Sequence, residues 1–239
     1  MPLHPGRLIG EIAATVPGAI EALASAGIDC CRDAGLTIEE VSLRTGIRPG
    51  HILSQLRACG RQQTPATDWV AEPLTALTRY VTETLHPAET AAMERISQHL
   101  AIEQQDHPSD VTVGKLRSAF AELANNLMIH MWREDNEVFP FIEDLEKRQG
   151  AAPPPVRGAF PDPHDPILEA LRRLRAMTRG YTAPAIPRSM APVLAELRAF
   201  DDMIHRHVHL ENHVLHPRAS ALCACPLEGS DAAGALIWF

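Results

Sequence analysis

The feature that most constrains this chain is a frame written twice. Aliphatic-x-x-His-x-x-x-Glu-x-x-x-aliphatic-x-Pro reads once as Leu127, His130, Glu134, Val138 and Pro140, and again as Ile204, His207, Glu211, Leu215 and Pro217. At about 100° per residue, Leu116, Phe120, Leu123, Leu127, Met131, Val138, Phe141 and Leu145 fall with Glu134 in one sector beside His130. Val193, Leu197, Phe200, Ile204, Val208 and Leu215 do the same around His207 and Glu211. Each frame therefore sets an imidazole and a carboxylate, one turn apart, on the apolar face of a helix. A buried carboxylate costs several kcal/mol unless it is paired or bound to metal. Two of them, each beside a histidine, form the pattern of a carboxylate–histidine metal site inside a helix bundle. That donor set suits iron or manganese better than a thiolate-preferring ion.

The bare His-x-x-x-Glu spacing is weaker than the frame. It occurs a third time at His99 and Glu103, without the following aliphatic residue and proline, and reads there as a decoy. A looser repeat precedes each strong copy: LHPAETAAMERI around His86 resembles PHDPILEALRRL around His164. Those two histidines supply a third and a fourth imidazole. His107 lies beyond His86 by about 31 Å of straight helix. It reaches the same site only if the chain folds back near 97–110, which QQDHPSD permits.

From Trp69 onward the spacing predicts four long helical segments. They run from about 70 to 104 with a break at Pro87, about 110 to 149, about 164 to 180, and about 190 to 220. No strand pattern stands out, so the expected fold is all-α: a four-helix bundle over 68–222 behind a small helical module at 1–62. In the module, Thr37 and Glu40 read as a capping box. RQQTPATD reads as a linker, AAPPPVRGAFPDP as the connection inside the bundle, and 223–239 as a tail carrying Cys223 and Cys225.

Composition narrows the function. A net charge of −8 argues against nucleic acid or an anionic membrane as partner. No apolar run is long enough to span a bilayer, and the N-terminus lacks the apolar core of a secretion signal, so a cytoplasmic location is expected. Five cysteines, an odd number with Cys30 and Cys31 adjacent, are no disulfide framework. The pair suits a redox switch, an iron–sulfur contact or an iron-transfer point, with two ordinary thiols in a turn as the alternative. Five of the twelve histidines fall between 205 and 216. His205, His209, His213 and His216 lie opposite His207 by helical phase, and the expectation for them is a solvated outer stripe.

The stretches GEIAATVPGAIEALASAGIDCC, DWVAEPLTAL, IHMWREDNEVFPFI, HDPILEALRRL and HVHLENHVLHPRA carry a resemblance across nearly the whole chain. The chain resembles the di-iron repair-of-iron-centres family (YtfE/ScdA/NorA/DnrN-like), with an N-terminal Cys-Cys, ScdA-type domain and a hemerythrin-like HHE four-helix bundle. The resemblance implies two iron ions in an oxo-bridged non-haem di-iron centre, held by five histidines and two bridging glutamates. By position these are His86, His107, His130, His164 and His207, with Glu134 and Glu211. His107 rests on the resemblance, whereas the repeat and the helical phase find the other six. The implied function is a nitrosative and oxidative stress protein that binds nitric oxide or helps repair damaged iron–sulfur clusters, with iron–sulfur proteins as partners and a homodimer allowed. The sequence departs from the family at Asp29-Cys30-Cys31-Arg32-Asp33, which lacks the aromatic before the cysteines and the two glycines after them, and at Pro87. A hemerythrin-like dioxygen carrier or sensor and a di-iron oxidase or nitric oxide reductase are the competing readings. LTIEEVSLRTGIRPGHILSQL has a helix–turn–helix look with Arg44, Arg48 and Arg57, but no dense basic face.

Overall fold

The computed structural model describes residues 3–16, 18–62, 67, 69–148, 164–182 and 187–223. Most of the expected linker at 61–68, the proline-rich connection at 151–163 and Cys225 lie outside them. Among the described residues the secondary structure is helical, apart from turns and one isolated bridge between Leu8 and Thr37.

Four short helices open the chain: α1 (Ile9–Thr15), α2 (Ala19–Ser25), α3 (Ile38–Thr45) and α4 (Pro49–Gln62). The Thr37 hydroxyl accepts from the Glu40 N–H, and the Glu40 carboxylate accepts from the Thr37 N–H, which closes the capping box at the start of α3. The four helices bury Ile9, Ile12, Leu23, Ile38, Val41 and Leu56 against one another, so the module has a core of its own. Arg44 donates both terminal nitrogens to the buried Asp33, which ties it down inside the module.

Four longer helices follow: α5 (74–106), α6 (111–148), α7 (Asp165–Met177) and α8 (191–223). α6 packs against both α5 and α7, and α8 packs against α5. The start of α6 is capped, and its end is tied to α5. Asp110 accepts from the N–H groups of Thr112 and Val113 at the start of α6, and Glu146 near its end accepts from Leu74 and Thr75 at the start of α5.

Three of these helices contain one π-helical turn each: Val81–Leu85, Glu134–Val138 and Glu211–Leu215. A proline stands two residues after each turn, at Pro87, Pro140 and Pro217. Proline has no N–H for the carbonyl four residues back, and its ring crowds that carbonyl. The wider turn absorbs both problems. Pro87 therefore does not break the first bundle helix as expected; a π turn carries the helix past it. The extra residue also shifts the phase downstream. After Glu134, Val138 and Leu145 are buried as the straight helix expects, but Phe139 and Ile142 join them and Phe141 is only half-buried.

Two apolar blocks fill the bundle. One contains Phe120, Leu123, Leu127, Leu174 and Phe200; the other contains Leu74, Leu77, Ile142, Val214 and Leu215. Each large side chain so buried contributes about 1.5–3 kcal/mol. Along α5, α6 and α8 the junction of the blocks falls at His86, at His130–Glu134 and at His207–Glu211, which leaves a polar layer between them.

The module lies on α8 through α1 and α2, and Cys31 touches the cores of both module and bundle. This corrects the expected solvated stripe. His205, His209 and His216 are buried and His213 is half-buried. His205 and His209 do face away from the bundle core, but the module covers that face; His216 follows the π turn and swings toward His164, with ring centroids 6.1 Å apart.

Candidate metal centre

Six of the seven expected ligands converge in the polar layer. The ligand atoms of His130, Glu134, His207 and Glu211 lie within 4.8 Å of one another, and His86 and His164 close the group from α5 and from the start of α7. The distances sort these atoms into two positions. Glu134 Oε2 is 3.3 Å from His86 Nε2 and 3.6 Å from His207 Nε2, while Glu211 Oε1 is 3.2 Å from the same His207 nitrogen. The other oxygens serve the other pair. Glu134 Oε1 is 2.8 Å from His130 Nε2 and 3.9 Å from His164 Nε2, and Glu211 Oε2 is 4.0 Å and 2.9 Å from those two nitrogens. Each position thus collects one oxygen from each glutamate and two imidazole nitrogens. The pseudo-twofold of the repeat exchanges the two positions.

The tautomers are set from behind. His86 Nδ1 donates to Asp135 at 3.0 Å, His164 Nδ1 to the Asn212 side-chain oxygen at 2.9 Å, and His207 Nδ1 to both oxygens of Glu89 at 3.0 Å. Each of these three rings therefore presents Nε2 inward. Asp135 and Asn212 directly follow the two glutamates, so each holds the histidine contributed by the preceding helix of its own hairpin. None of these three partners stands out in the sequence alone. Glu89 carries a signal, since it shares the apolar phase of Met93, Ile96 and Leu100; Asp135 and Asn212 occupy one offset in both copies of the frame.

Burial makes the layer electrostatically tense. Burial alone pushes the Glu134 carboxyl up, but the imidazoles of His130, His164, His207 and His86 hold it well below the usual carboxylate range. Glu211 is held down to about 2: burial and the charge of Glu134 oppose this, and His207 and His164 prevail. His164 is pushed up to about 9 by Glu134 and Glu211 despite burial, and His207 is raised well above its ordinary value by Glu89 and Glu211.

The layer fits a metal on its own chemistry. The buried Nε2 atoms of His86, His130 and His207, both Glu134 oxygens and Glu211 Oε1 are close together yet have no hydrogen-bond partner among the described residues. Each such atom costs about 1–3 kcal/mol. Six of them facing one another are lone pairs presented to cations.

His107 is not brought in. α5 runs unbroken to Asp106, so His107 caps its far end, half-exposed beside Glu103 and Ser189. The fold-back that would have returned it does not occur. The decoy His99 pairs with Glu196 near the same end. Cys30 and Cys31 sit where the module meets α8, outside the polar layer. A hydrogen bond from Cys31 holds the Cys30 thiol down to about 6 against burial, with the His209 and His205 imidazoles assisting, and Cys31 is pushed up in turn.

The family model described as Hemerythrin HHE cation binding domain matches residues 80–219, the span that contains all six converging side chains. Relatives extend over most of the chain. The "Iron-sulfur cluster repair protein YtfE" of Pectobacterium atrosepticum is 24% identical over 213 residues, covering 88% of this chain and 95% of its own. The proteins of the same description from Musicola paradisiaca and Yersinia pseudotuberculosis are 23% and 22% identical, covering 89% and 90% of this chain and 96% and 97% of theirs.

Proposed function

The chain belongs to the hemerythrin HHE cation-binding domain family, and from that premise we propose a non-haem di-iron protein that repairs damaged iron–sulfur clusters and binds nitric oxide during nitrosative stress. One observation carries the di-iron reading: two buried glutamates each point one oxygen at each of two histidine pairs. Eight protein donors serve two positions, so about four of roughly twelve six-coordinate sites are left to other ligands, one more than a fifth histidine would leave. Two iron ions held there would supply open coordination positions to nitric oxide or dioxygen.

The protein's own contribution is to orient and to insulate. Asp135, Asn212 and Glu89 lock the rings of His86, His164 and His207. The two apolar blocks exclude water on either side. Repair of iron–sulfur clusters comes to this chain from the relatives' description together with the resident iron site, and the partners it implies are iron–sulfur proteins.

The test is nitric oxide titration of the iron-loaded protein, followed by incubation with a nitric-oxide-damaged iron–sulfur enzyme. Iron-nitrosyl signals and enzyme reactivation, both lost in Glu134→Ala, are expected. A stable, reversible dioxygen adduct with no nitrosyl formation and no reactivation would instead establish the carrier reading.

A further inference from the structure

A second group of metal-binding side chains lies on the face of α8 turned away from the polar layer. Cys30 and Cys31, on the turn after α2, and His209 on α8 offer two sulfurs and an imidazole nitrogen within 4.8 Å of one another. Three further observations separate this group from a chance gathering. His209 is fully buried, yet neither ring nitrogen has a hydrogen-bond partner among the described residues; buried polar groups are normally satisfied. Its counterpart in the repeat is Trp132, so the bundle frame does not require a histidine there. Both cysteines are free thiols, and Cys30 is among the residues, with Asp29, Arg175 and His205, that line a cleft of about 350 Å³ between α2, α8 and the end of α7.

We propose that Cys30, Cys31 and His209 form a mononuclear site for a thiophilic divalent cation, zinc(II) or iron(II), separate from the histidine–glutamate centre. Two thiolates and one imidazole are a donor set for tetrahedral zinc or iron, unlike the oxygen-rich set inside the bundle. The fourth corner falls to water or to His213, whose ring lies 4.7 Å from that of His209 and whose Nε2 also has no hydrogen-bond partner among the described residues. Binding displaces the two thiol protons to solvent and changes no oxidation state. Two ligands come from the module and one from the bundle, so the ion cross-links the two layers. The site shares no ligand with the bundle centre and stands whether or not that centre holds two irons.

The test uses the full chain with the bundle centre already loaded with iron, titrated anaerobically with cobalt(II). Cobalt bound to thiolate gives a near-ultraviolet charge-transfer band that imidazole and carboxylate ligands do not produce. We expect the band to saturate at about one equivalent per chain. It should vanish in the Cys30→Ala, Cys31→Ala double variant. In His209→Gln it should persist at an affinity lower by on the order of a hundredfold. Cys31→Ser, at a half-buried position, repeats the test should His209→Gln not fold. Iron content is measured in parallel on every variant, so damage to the bundle centre is read separately. No charge-transfer band in the parent protein, or unchanged cobalt affinity in a folded His209→Gln, overturns the proposal.

Discussion

The two hairpins of the bundle, α5–α6 and α7–α8, share an inner frame and differ behind it. Inside, His86, His130 and Glu134 are matched one for one by His164, His207 and Glu211. Behind the ligands, His86 and His207 rest on carboxylates, Asp135 and Glu89, whereas His164 rests on the neutral Asn212. The repeat places Ile167 where Glu89 stands in the first hairpin, and Ile167 is buried in the apolar block. Outside, the difference is larger. Met128 and Trp132 on α6 are 58% and 59% exposed; their counterparts His205 and His209 on α8 are 7% and 0% exposed beneath the module. The six inner side chains hold a single geometry, as two matched metal positions would require. The shell behind them and the surface around them are free to diverge, and with them the two positions cease to be equivalent.

The largest effect should come from breaking the shared frame. Each glutamate serves both positions, so Glu134→Ala or Glu211→Ala should eliminate the pair and leave less than about one iron per chain. Metal analysis of the purified variants checks this.

The covered outer face comes next. His205 is held between Asp201 and Asp29, with its Nδ1 3.0 Å from Asp201 Oδ1 and its Nε2 3.8 Å from Asp29 Oδ2. Removing one partner of such a buried group costs about 3 kcal/mol, so His205→Ala should lower the melting temperature clearly. The pH dependence has a definite sign. Burial opposes charging of His205, but Asp201 and Asp29 prevail and raise it from 6.5 to about 10. Its stabilisation is therefore complete below pH 6.5 and is lost as the pH rises through about 10. Melting curves from pH 6 to 10 should converge for parent and His205→Ala at the alkaline end; parallel curves would count against the ion pair.

Legibility in the sequence follows the same division between inside and outside. The doubled frame and one helical phase locate the six side chains that converge, because a carboxylate is stable on an apolar stripe only when it is paired or bound to metal. His107 is not among them, since spacing cannot show whether QQDHPSD turns a chain back or merely ends a helix. At His205 and His209 helical phase says which way a side chain points and not what lies there, so the covering module stays hidden. His216 and Phe141 are displaced by π turns. The prolines that mark those turns, Pro140 and Pro217, stand in the frame itself, but a straight-helix wheel assigns them no phase shift.

A smaller effect tests the inequality of the two positions. Glu89→Gln keeps the shape and removes the charge behind His207. It should weaken one iron by roughly 10–100-fold while sparing the other. Asn212→Asp should narrow the gap from the opposite side. Sequential removal by a chelator reads both; equal weakening of the two irons in Glu89→Gln would erase the inequality. The least effect belongs to the bare face of α6, where Trp132→Ala should change stability by no more than about 0.5 kcal/mol, measured by thermal melting.

The most direct test is the iron count of the anaerobically reconstituted chain, taken with Mössbauer spectroscopy on the parent, Glu211→Ala and His107→Ala. About two irons per chain as a coupled pair, lost in Glu211→Ala and retained in His107→Ala, is the result expected of two glutamate-bridged positions and a histidine stranded at the far end of α5. A single iron per chain in the parent, or equal iron loss in the two variants, would contradict it.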